Sequence, residues 1–185
     1  MILSSKHIDL RQLELNDAVS LLDLRQRNRE FLVPWEPVQP ESHFTLIGQQ
    51  EAIEKLRSNW ESGTGYGFGI FLRSTGLLVG RITLSNVVRG AWESCTLGYF
   101  LDQGMNGRGY MTEAVRLTAA FAFQDANLHR VQAAVMPKNA GSIRVLENVG
   151  FRYEGFAEYY LRINDVWEHH NLYSMTRENW SEVTY

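Results

Sequence analysis

Apolar and polar positions change period several times along this chain, and the changes divide it into elements. Ile8-Asp9-Leu10-Arg11-Gln12-Leu13 largely alternates, the pattern of a half-buried strand. Asn16 is then placed as the N-cap of a segment with Ala18, Leu21, Leu22 and Arg25 at helical spacing. Beyond a proline-rich loop, Ser42 to Trp60 reads as a second helix, ended by Gly63-Thr64-Gly65. The run Tyr66 to Leu72, the turn Ser74-Thr75-Gly76 and the run Leu77 to Val88 predict a hairpin, and Ser94 to Leu101 adds a third antiparallel strand. The period then moves from two to 3.6, with Met111, Ala114, Val115, Thr118, Phe121 and Ala122 on one helical face. Alternation returns from His129 to Met136. A helix from Ser142 to Val149 stops at Gly150, where a left-handed residue is wanted. Phe151 to Leu161 and Val166 to Met175, separated by Ile163-Asn164-Asp165, predict a closing hairpin.

The pattern thus gives seven strands and about four helices in the α+β class. One parallel pair is expected where the helix starting near Gly109 crosses between two strands, and a ligand where those strands part. The 185 residues, with no linker-like stretch and three of the four prolines gathered in Pro34 to Pro40, predict a single domain over 1–185. A formal charge of -3 lacks the basic excess of a dedicated nucleic-acid binder, so no direct nucleic-acid recognition is expected. No segment has the roughly 18 apolar residues of a membrane span, and Met1 to His7 lacks the apolar core of a signal peptide, which points to a cytoplasmic protein with no membrane partner. Cys95 is the only cysteine; neither a disulfide nor a cysteine-based zinc cluster is available, no metal is expected, and Cys95 reads as a small buried hydrophobe.

The candidate chemistry starts where alternation gives way to helix. Gly104-Met105-Asn106-Gly107-Arg108-Gly109-Tyr110-Met111-Thr112 turns directly from a strand into an amphipathic helix. Backbone N–H groups converge there with the positive end of a helix dipole, an arrangement that binds phosphate. Glycine at 107 and 109 keeps side chains away from a bulky anion, and Arg108 adds charge. An NTPase-type loop needs Gly-Lys-Ser/Thr before the helix, but Gly109 is followed by Tyr110 and Met111. A dinucleotide fold wants an acidic residue about 20 positions on, where this chain has His129-Arg130-Val131-Gln132. What remains is a phosphate-holding turn, or a glycine turn that only tightens the connection.

A second segment, Pro137-Lys138-Asn139-Ala140-Gly141-Ser142-Ile143-Arg144-Val145-Leu146-Glu147-Asn148-Val149-Gly150-Phe151, follows the next strand and starts another helix. Together the two segments resemble the coenzyme A signature of the GNAT superfamily of N-acetyltransferases: a Gln/Arg-x-x-Gly-x-Gly/Ala turn, then Asn-x-x-(small)-x-x-(apolar)-x-x-x-x-Gly-Phe. Four further stretches resemble its RimJ-type ribosomal-protein alanine N-acetyltransferases: Phe31-Leu32-Val33-Pro34-Trp35-Glu36-Pro37, Glu41-Ser42-His43, Ser85-Asn86-Val87-Val88-Arg89-Gly90, and Asn164-Asp165-Val166-Trp167-Glu168-His169-His170.

The resemblance implies the GNAT fold, a mixed, mostly antiparallel seven-stranded sheet with a splayed parallel pair. It implies acetyl-CoA as a substrate, with the pantetheine arm along the backbone of Ser94 to Leu101, where Phe100 and Leu101 lie nearest the turn. Cofactor contacts then fall to Asn106, Gly107, Arg108, Gly109, Tyr110, Met111, Thr112, Asn139 and Ser142. The implied reaction is direct acetylation of the N-terminal alanine amine of a ribosomal protein, by a monomer or a homodimer. The alternatives are acetylation of a small amine (a polyamine, an antibiotic or an amino acid) or a non-catalytic acyl-CoA-binding module. Asn106 stands where the superfamily favours Gln or Arg, and Met111 where it favours Gly or Ala; Asn106 is expected to cap and Met111 to face the core.

Acetyl transfer from a thioester needs a neutral amine, a polarised carbonyl and a proton for the departing thiolate. An α-amine with a pKa of about 8 needs only a modest base. Many relatives protonate the thiolate with a tyrosine where this chain has Leu146, so the role moves to Ser142, which resembles the serine of ribosomal-protein acetyltransferases; an N-terminal capping hydroxyl is its other reading. For the base, Glu93 lies 13 positions before Asn106, a spacing similar to that of the glutamate in histone-type members, while many members carry Glu where this chain has Thr96. Glu36, in the Pro-Trp-Glu-Pro loop, is the second choice and His170 the third. Trp35, Glu36, Tyr159 and His170 are the candidate acceptor-binding residues, and Trp35, Trp92, Tyr99, Tyr159 and Trp167 either wall a peptide groove or belong to the core.

Overall fold

The strand and helix periods translate into one mixed sheet with helices on both faces, seen in a computed structural model that describes residues 1–180. The strands are β1 (Ile2–Ser4), β2 (Ile8–Arg11), β3 (Tyr66–Leu72), β4 (Leu78–Val88), β5 (Ser94–Leu101), β6 (Arg130–Val135), β7 (Arg152–Ile163) and β8 (Val166–Thr176). Their order is β1-β2-β3-β4-β5-β6-β8-β7, antiparallel throughout except for the pair β5–β6. The strand beyond the seven expected is β1, which pairs with β2 from Ile2↔Arg11 to Ser4↔Asp9. Three residues are too few for alternation to register.

The helices are α1 (Ala18–Arg27), α2 (Arg29–Leu32), α3 (Leu46–Glu61), α4 (Tyr110–Gln124) and α5 (Ala140–Val149). Asn16 is not the cap of the first helix. It lies inside a 3-10 turn, Leu15–Asp17, whose start is closed by a reciprocal exchange between Glu14 and Asp17. The second helix starts later than Ser42: a 3-10 turn, Glu41–Phe44, precedes it, and the Thr45 hydroxyl accepts the Gly48 N–H at 3.1 Å.

Two cores form, one on each face of the sheet. Ile8, Leu10, Phe68, Leu97 and Leu101 face α4 and α5, and all six positions expected on the buried face of α4 are indeed buried. Trp60, Tyr66, Phe68 and Phe121 meet edge-on or tilted at centroid separations of 5.1 to 5.4 Å. Each such ring pair adds about 0.5–1.5 kcal/mol beyond its burial, enough to lock the end of α3 to β3 and α4. On the other face, Leu13, Ala18, Leu21, Leu24, Ile53, Phe71 and Leu78 join α1 and α3 to the sheet.

The first turn of α4 is anchored by the β1–β2 connection. Ser5 Oγ donates to Glu113 at 2.5 Å, and the His7 backbone N–H donates to the same oxygen at 3.1 Å. Burial pushes the Glu113 carboxyl up, but these bonds outweigh it and hold the group below the ordinary range.

The parallel pair is short. Ser94, Cys95 and Thr96 pair with Arg130, Val131 and Gln132, and there the ladder ends. Beyond that point each strand keeps only its outer neighbour: β5 stays with β4 as far as Leu101↔Gly80, and β6 stays with β8 as far as Val135↔Asn171. The sheet therefore opens along its middle, as expected.

Candidate active site

The opening exposes a strand edge. Glu93 C=O accepts the Arg130 N–H, so odd-numbered residues of β5 direct their backbone groups toward β6. Past the last bridge, Thr96↔Gln132, these are the Leu97 C=O and both backbone groups of Tyr99 and Leu101, whose edge faces the gap with no strand opposite among the described residues. A ligand carrying amide groups can take the place of the missing strand.

At the end of β5 the turn is built for an anion. Gly107 (φ 76°) and Gly109 (φ 81°) are both in the left-handed region, and a Cβ added to either meets nothing within 4 Å. Glycine is thus required by backbone conformation, and the space in front of it is open. Gly109 is the N-cap of α4 and no side chain caps the helix. The N–H groups of Tyr110, Met111 and Thr112 therefore point outward at the positive end of a 15-residue helix. Arg108 is exposed and makes no ion pair among the described residues. Met111 faces the core, as expected. Asn106 does not cap α4: it closes the 3-10 turn Gln103–Met105, its backbone extended, three residues before the N-cap of α4, and its N–H donates to Gln103 C=O at 3.3 Å.

The approach to this turn is held from α1. Asp102 accepts the Gly104 N–H at 3.1 Å and takes both Arg27 Nε (2.8 Å) and a terminal nitrogen of Arg27 (2.7 Å). Buried Asn28 accepts the Gln103 N–H at 2.9 Å while donating to Leu24 C=O. Removing such a buried acceptor costs about 1–3 kcal/mol. Asn28→Ala is therefore expected to lower the melting temperature by several degrees and to weaken coenzyme A binding by about threefold to tenfold, read by thermal melting and by titration calorimetry. Unaltered affinity would mean that the turn holds its own shape.

Inside the gap, two hydroxyls meet. Asn139, the N-cap of α5, accepts the Ser142 N–H at 3.1 Å, so the capping role belongs to Asn139. Ser142 Oγ is thereby left for another partner, and it lies 2.7 Å from the Tyr99 hydroxyl. Burial pushes the Tyr99 phenol up to about 12, with the Ser142 contact working against it. The strand pattern, which reads Tyr99 as a groove wall or a core aromatic, obscures this meeting. The Tyr99 hydroxyl, on the same strand face as Leu97 and Leu101 at the parted end of β5, is the available signal. Leu146 is fully buried in the core, as an apolar side chain at that place should be.

The structure does not bring Glu93 to this pair. It lies six residues before Tyr99, roughly 20 Å away at about 3.3 Å per strand residue, and at the closed end of the β5–β6 ladder. Its carbonyl accepts from both His129 and Arg130, and its φ of 38° marks the bend into β5. The spacing to Asn106 is similar to that of a catalytic glutamate, but the sheet places Glu93 where the strands are still paired. Cys95, beside it, is buried and its thiol is pushed by burial up to about 12, so it is a core side chain.

The remaining candidates lie in the loop before α3 and on β7 and β8. Glu36 Oε1 accepts from Arg25 at 2.5 Å, and Glu36 C=O accepts the Asn164 N–H at 3.1 Å, tying the Pro-Trp-Glu-Pro loop to the tip of the β7–β8 hairpin. Trp35 is half-buried in the 3-10 turn Val33–Trp35. Tyr159 sits on a bulge of β7 with φ 47°, its ring exposed and 4.6 Å from that of His169. His170 is buried, bonds Glu168 C=O through Nδ1 at 3.0 Å, and is pushed down by burial, the condition of a satisfied neutral histidine. A shallow cleft at the loop is lined by Arg29, Val33, Glu36, Pro37, Phe44 and Asn164 among others. Among the described residues no cluster of His, Cys, Asp and Glu is arranged to hold a metal ion, and no helix is long and apolar enough to cross a membrane.

Comparison with known proteins agrees with this geometry. Residues 7–152 match the family model described as an acetyltransferase (GNAT) domain. The chain is 42% identical over 171 residues to a Bacillus subtilis (strain 168) protein named probable N-acetyltransferase YjcK, covering 92% of this chain and 94% of that one. It is 35% identical over 179 residues to the [ribosomal protein uS5]-alanine N-acetyltransferase of Escherichia coli (strain K12), covering 97% and 92%. The solved structure of Mycobacterium smegmatis RimJ in complex with CoA-disulfide superposes with a TM-score of 0.88 at 32% identity, covering 92% of this chain and 82% of that one.

Proposed function

Because the chain belongs to the GNAT acetyltransferase family and is an acetyl-CoA-dependent enzyme of that type, we propose that it acetylates a protein N-terminal α-amine, the acceptor being the N-terminal alanine of a ribosomal protein. The observation that carries this is the parted β5–β6 pair, with an anion-holding turn at one end and the Tyr99–Ser142 hydroxyls inside it. The name of the relative from Escherichia coli supports the choice of acceptor.

Bound acetyl-CoA supplies the activated acetyl thioester. The free N–H groups at the start of α4, with Arg108, hold its pyrophosphate, and the open edge of Tyr99 and Leu101, with the Leu97 C=O, pairs with its pantetheine arm. Asn139 fixes the first turn of α5 and so the position of Ser142. Tyr99, protonated at any working pH, and Ser142 together donate a hydrogen bond to the departing sulfur. The acceptor amine enters from the α1 face past the Glu36 loop, where one carboxylate oxygen is left over from the Arg25 pair to draw in an ammonium group. An α-amine with a pKa of about 8 gives up its proton to water or to this carboxylate without a strong base.

The test is acetylation of ribosomal proteins, alanine-starting peptides and a panel of small amines in parallel, followed by thiol release and mass. Acetyl-alanine at protein N-termini is expected. Acetylation confined to small amines would overturn the acceptor assignment, and tight acetyl-CoA binding with no product from any of them would sink the enzyme reading.

A further inference from the structure

On the sheet face opposite Tyr99, at the level of the gap, Arg81 of β4 and Phe100 of β5 are direct cross-strand partners. The two faces are distinguished by packing: Tyr99 joins the core under α4 and α5, and Phe100 the core under α1 and α3. The Arg25 guanidinium lies 4.8 Å from the Phe100 ring centroid and that of Arg81 5.5 Å from it. Two cations thus share one ring.

Only one of them is neutralised. Arg25, 2% exposed, is paired with Glu36. Half-buried Arg81 makes no hydrogen bond or ion pair among the described residues. Polar atoms nearby are also left over: among the described residues Arg25 Nε and His43 Nε2 are buried without a partner, as is Oε1 of fully buried Gln49, whose amide nitrogen donates to His43 C=O. Burial pushes His43 down to about 4, with Arg25 and Arg81 both adding to the effect, so the imidazole is neutral and does not contribute charge. Burial, with Arg25 adding and the Glu36 carboxylate working against them, pushes Arg81 down to about 10, which leaves it a cation at neutral pH. Two guanidinium groups and one carboxylate thus leave one positive charge uncompensated on the α1 face of the sheet. An isolated half-buried charge is unfavourable until an opposite charge meets it.

We propose that Arg81, backed by Arg25 and Phe100, receives a carboxylate of the acceptor, so that the preferred acceptor is an α-amine with a carboxylate close to it. A guanidinium offers a carboxylate a two-pronged fit, while Glu36 beside it takes the ammonium end. A polyamine, cationic along its length, meets two guanidinium groups and is disfavoured. The carboxylate comes either from a free amino acid or from an acidic side chain just after the N-terminal residue of a peptide. This inference rests on the α-amine acetyltransferase reading.

The experiment compares peptides beginning Ala-Glu and Ala-Gln, and free alanine with alaninamide, for the native protein, Arg81→Gln and Arg81→Lys. Initial rates are read by thiol release, and binding of each acceptor in the presence of coenzyme A by calorimetry. In the native protein the acidic member of one pair is expected to lead by about tenfold, the size of one charge-assisted hydrogen bond, and the pair that shows it identifies the source. Arg81→Gln should reduce the ratio to near one, and Arg81→Lys should keep part of it. Equal rates and affinities within both pairs overturn the proposal, as does a preference that survives Arg81→Gln. Should no α-amine be acetylated, the acceptor reading fails by itself, and the calorimetric preference still decides the role of Arg81. Should Arg81→Gln not fold, the native ratio and Arg81→Lys decide it.

Discussion

Tyr99→Phe is expected to lower turnover by about 100-fold, or about 2.7 kcal/mol of transition-state stabilisation, with little change in acetyl-CoA affinity. The substitution removes one oxygen and keeps the ring that packs beneath α4 and α5. Ser142→Ala should lower turnover by a similar factor, because each hydroxyl is the other's partner at 2.7 Å. Since the two act as a unit, the double variant is expected to be about as slow as either single one, not 10⁴-fold slower. Burst and steady-state thiol release with a saturating alanine-starting peptide measures this. The pH profile adds a second check. With the Tyr99 phenol pushed up to about 12, it keeps its proton as the pH rises, so turnover should not fall on the alkaline side before the protein itself unfolds. Unchanged turnover in both single variants would return the pair to a structural contact between β5 and α5.

Gly109→Val should act on binding instead, weakening coenzyme A by at least about 30-fold, or about 2 kcal/mol. Two effects combine. At φ 81° a β-branched side chain is strained by roughly 1–2 kcal/mol, and its methyl groups occupy the open space in front of the N–H groups of α4. Gly76→Val separates the two. Gly76 turns the β3–β4 hairpin at φ 70°, also with nothing within 4 Å of an added Cβ, and lies away from the gap. Both variants should melt earlier by similar amounts, and only Gly109→Val should lose coenzyme A in calorimetry. Full affinity in Gly109→Val would remove the phosphate-holding role from the turn.

Several parts of the site are legible in the sequence. The stripe Met111, Ala114, Val115, Thr118, Phe121 and Ala122 is the buried face of α4, and Gly150, at φ 101°, ends α5 as expected. Asn139 caps α5. Arg25 carried a signal that was available: an arginine on the apolar stripe with Ala18 and Leu21 must be buried, and a buried guanidinium requires a partner, here Glu36. Asn16, by contrast, was a suitable cap type one residue out of place, because the exchange between Glu14 and Asp17 had already closed the turn.

The chain by itself determined seven of the eight strands, the buried face of α4 and Gly150 as the stop of α5, because each depends on the conformational preferences of contiguous residues and on a burial period that repeats along them. The tertiary structure decided which groups meet. Tyr99 and Ser142 are 43 residues apart, and Arg27 and Asp102 are 75 apart. The displacement of Glu93 to the closed end of the gap has the same origin. How far β5 and β6 stay paired is set by their outer partners, β4 and β8, and by the two cores that hold the sheet. No spacing along the chain encodes where a ladder will part, since that is a balance struck among strands distant in sequence.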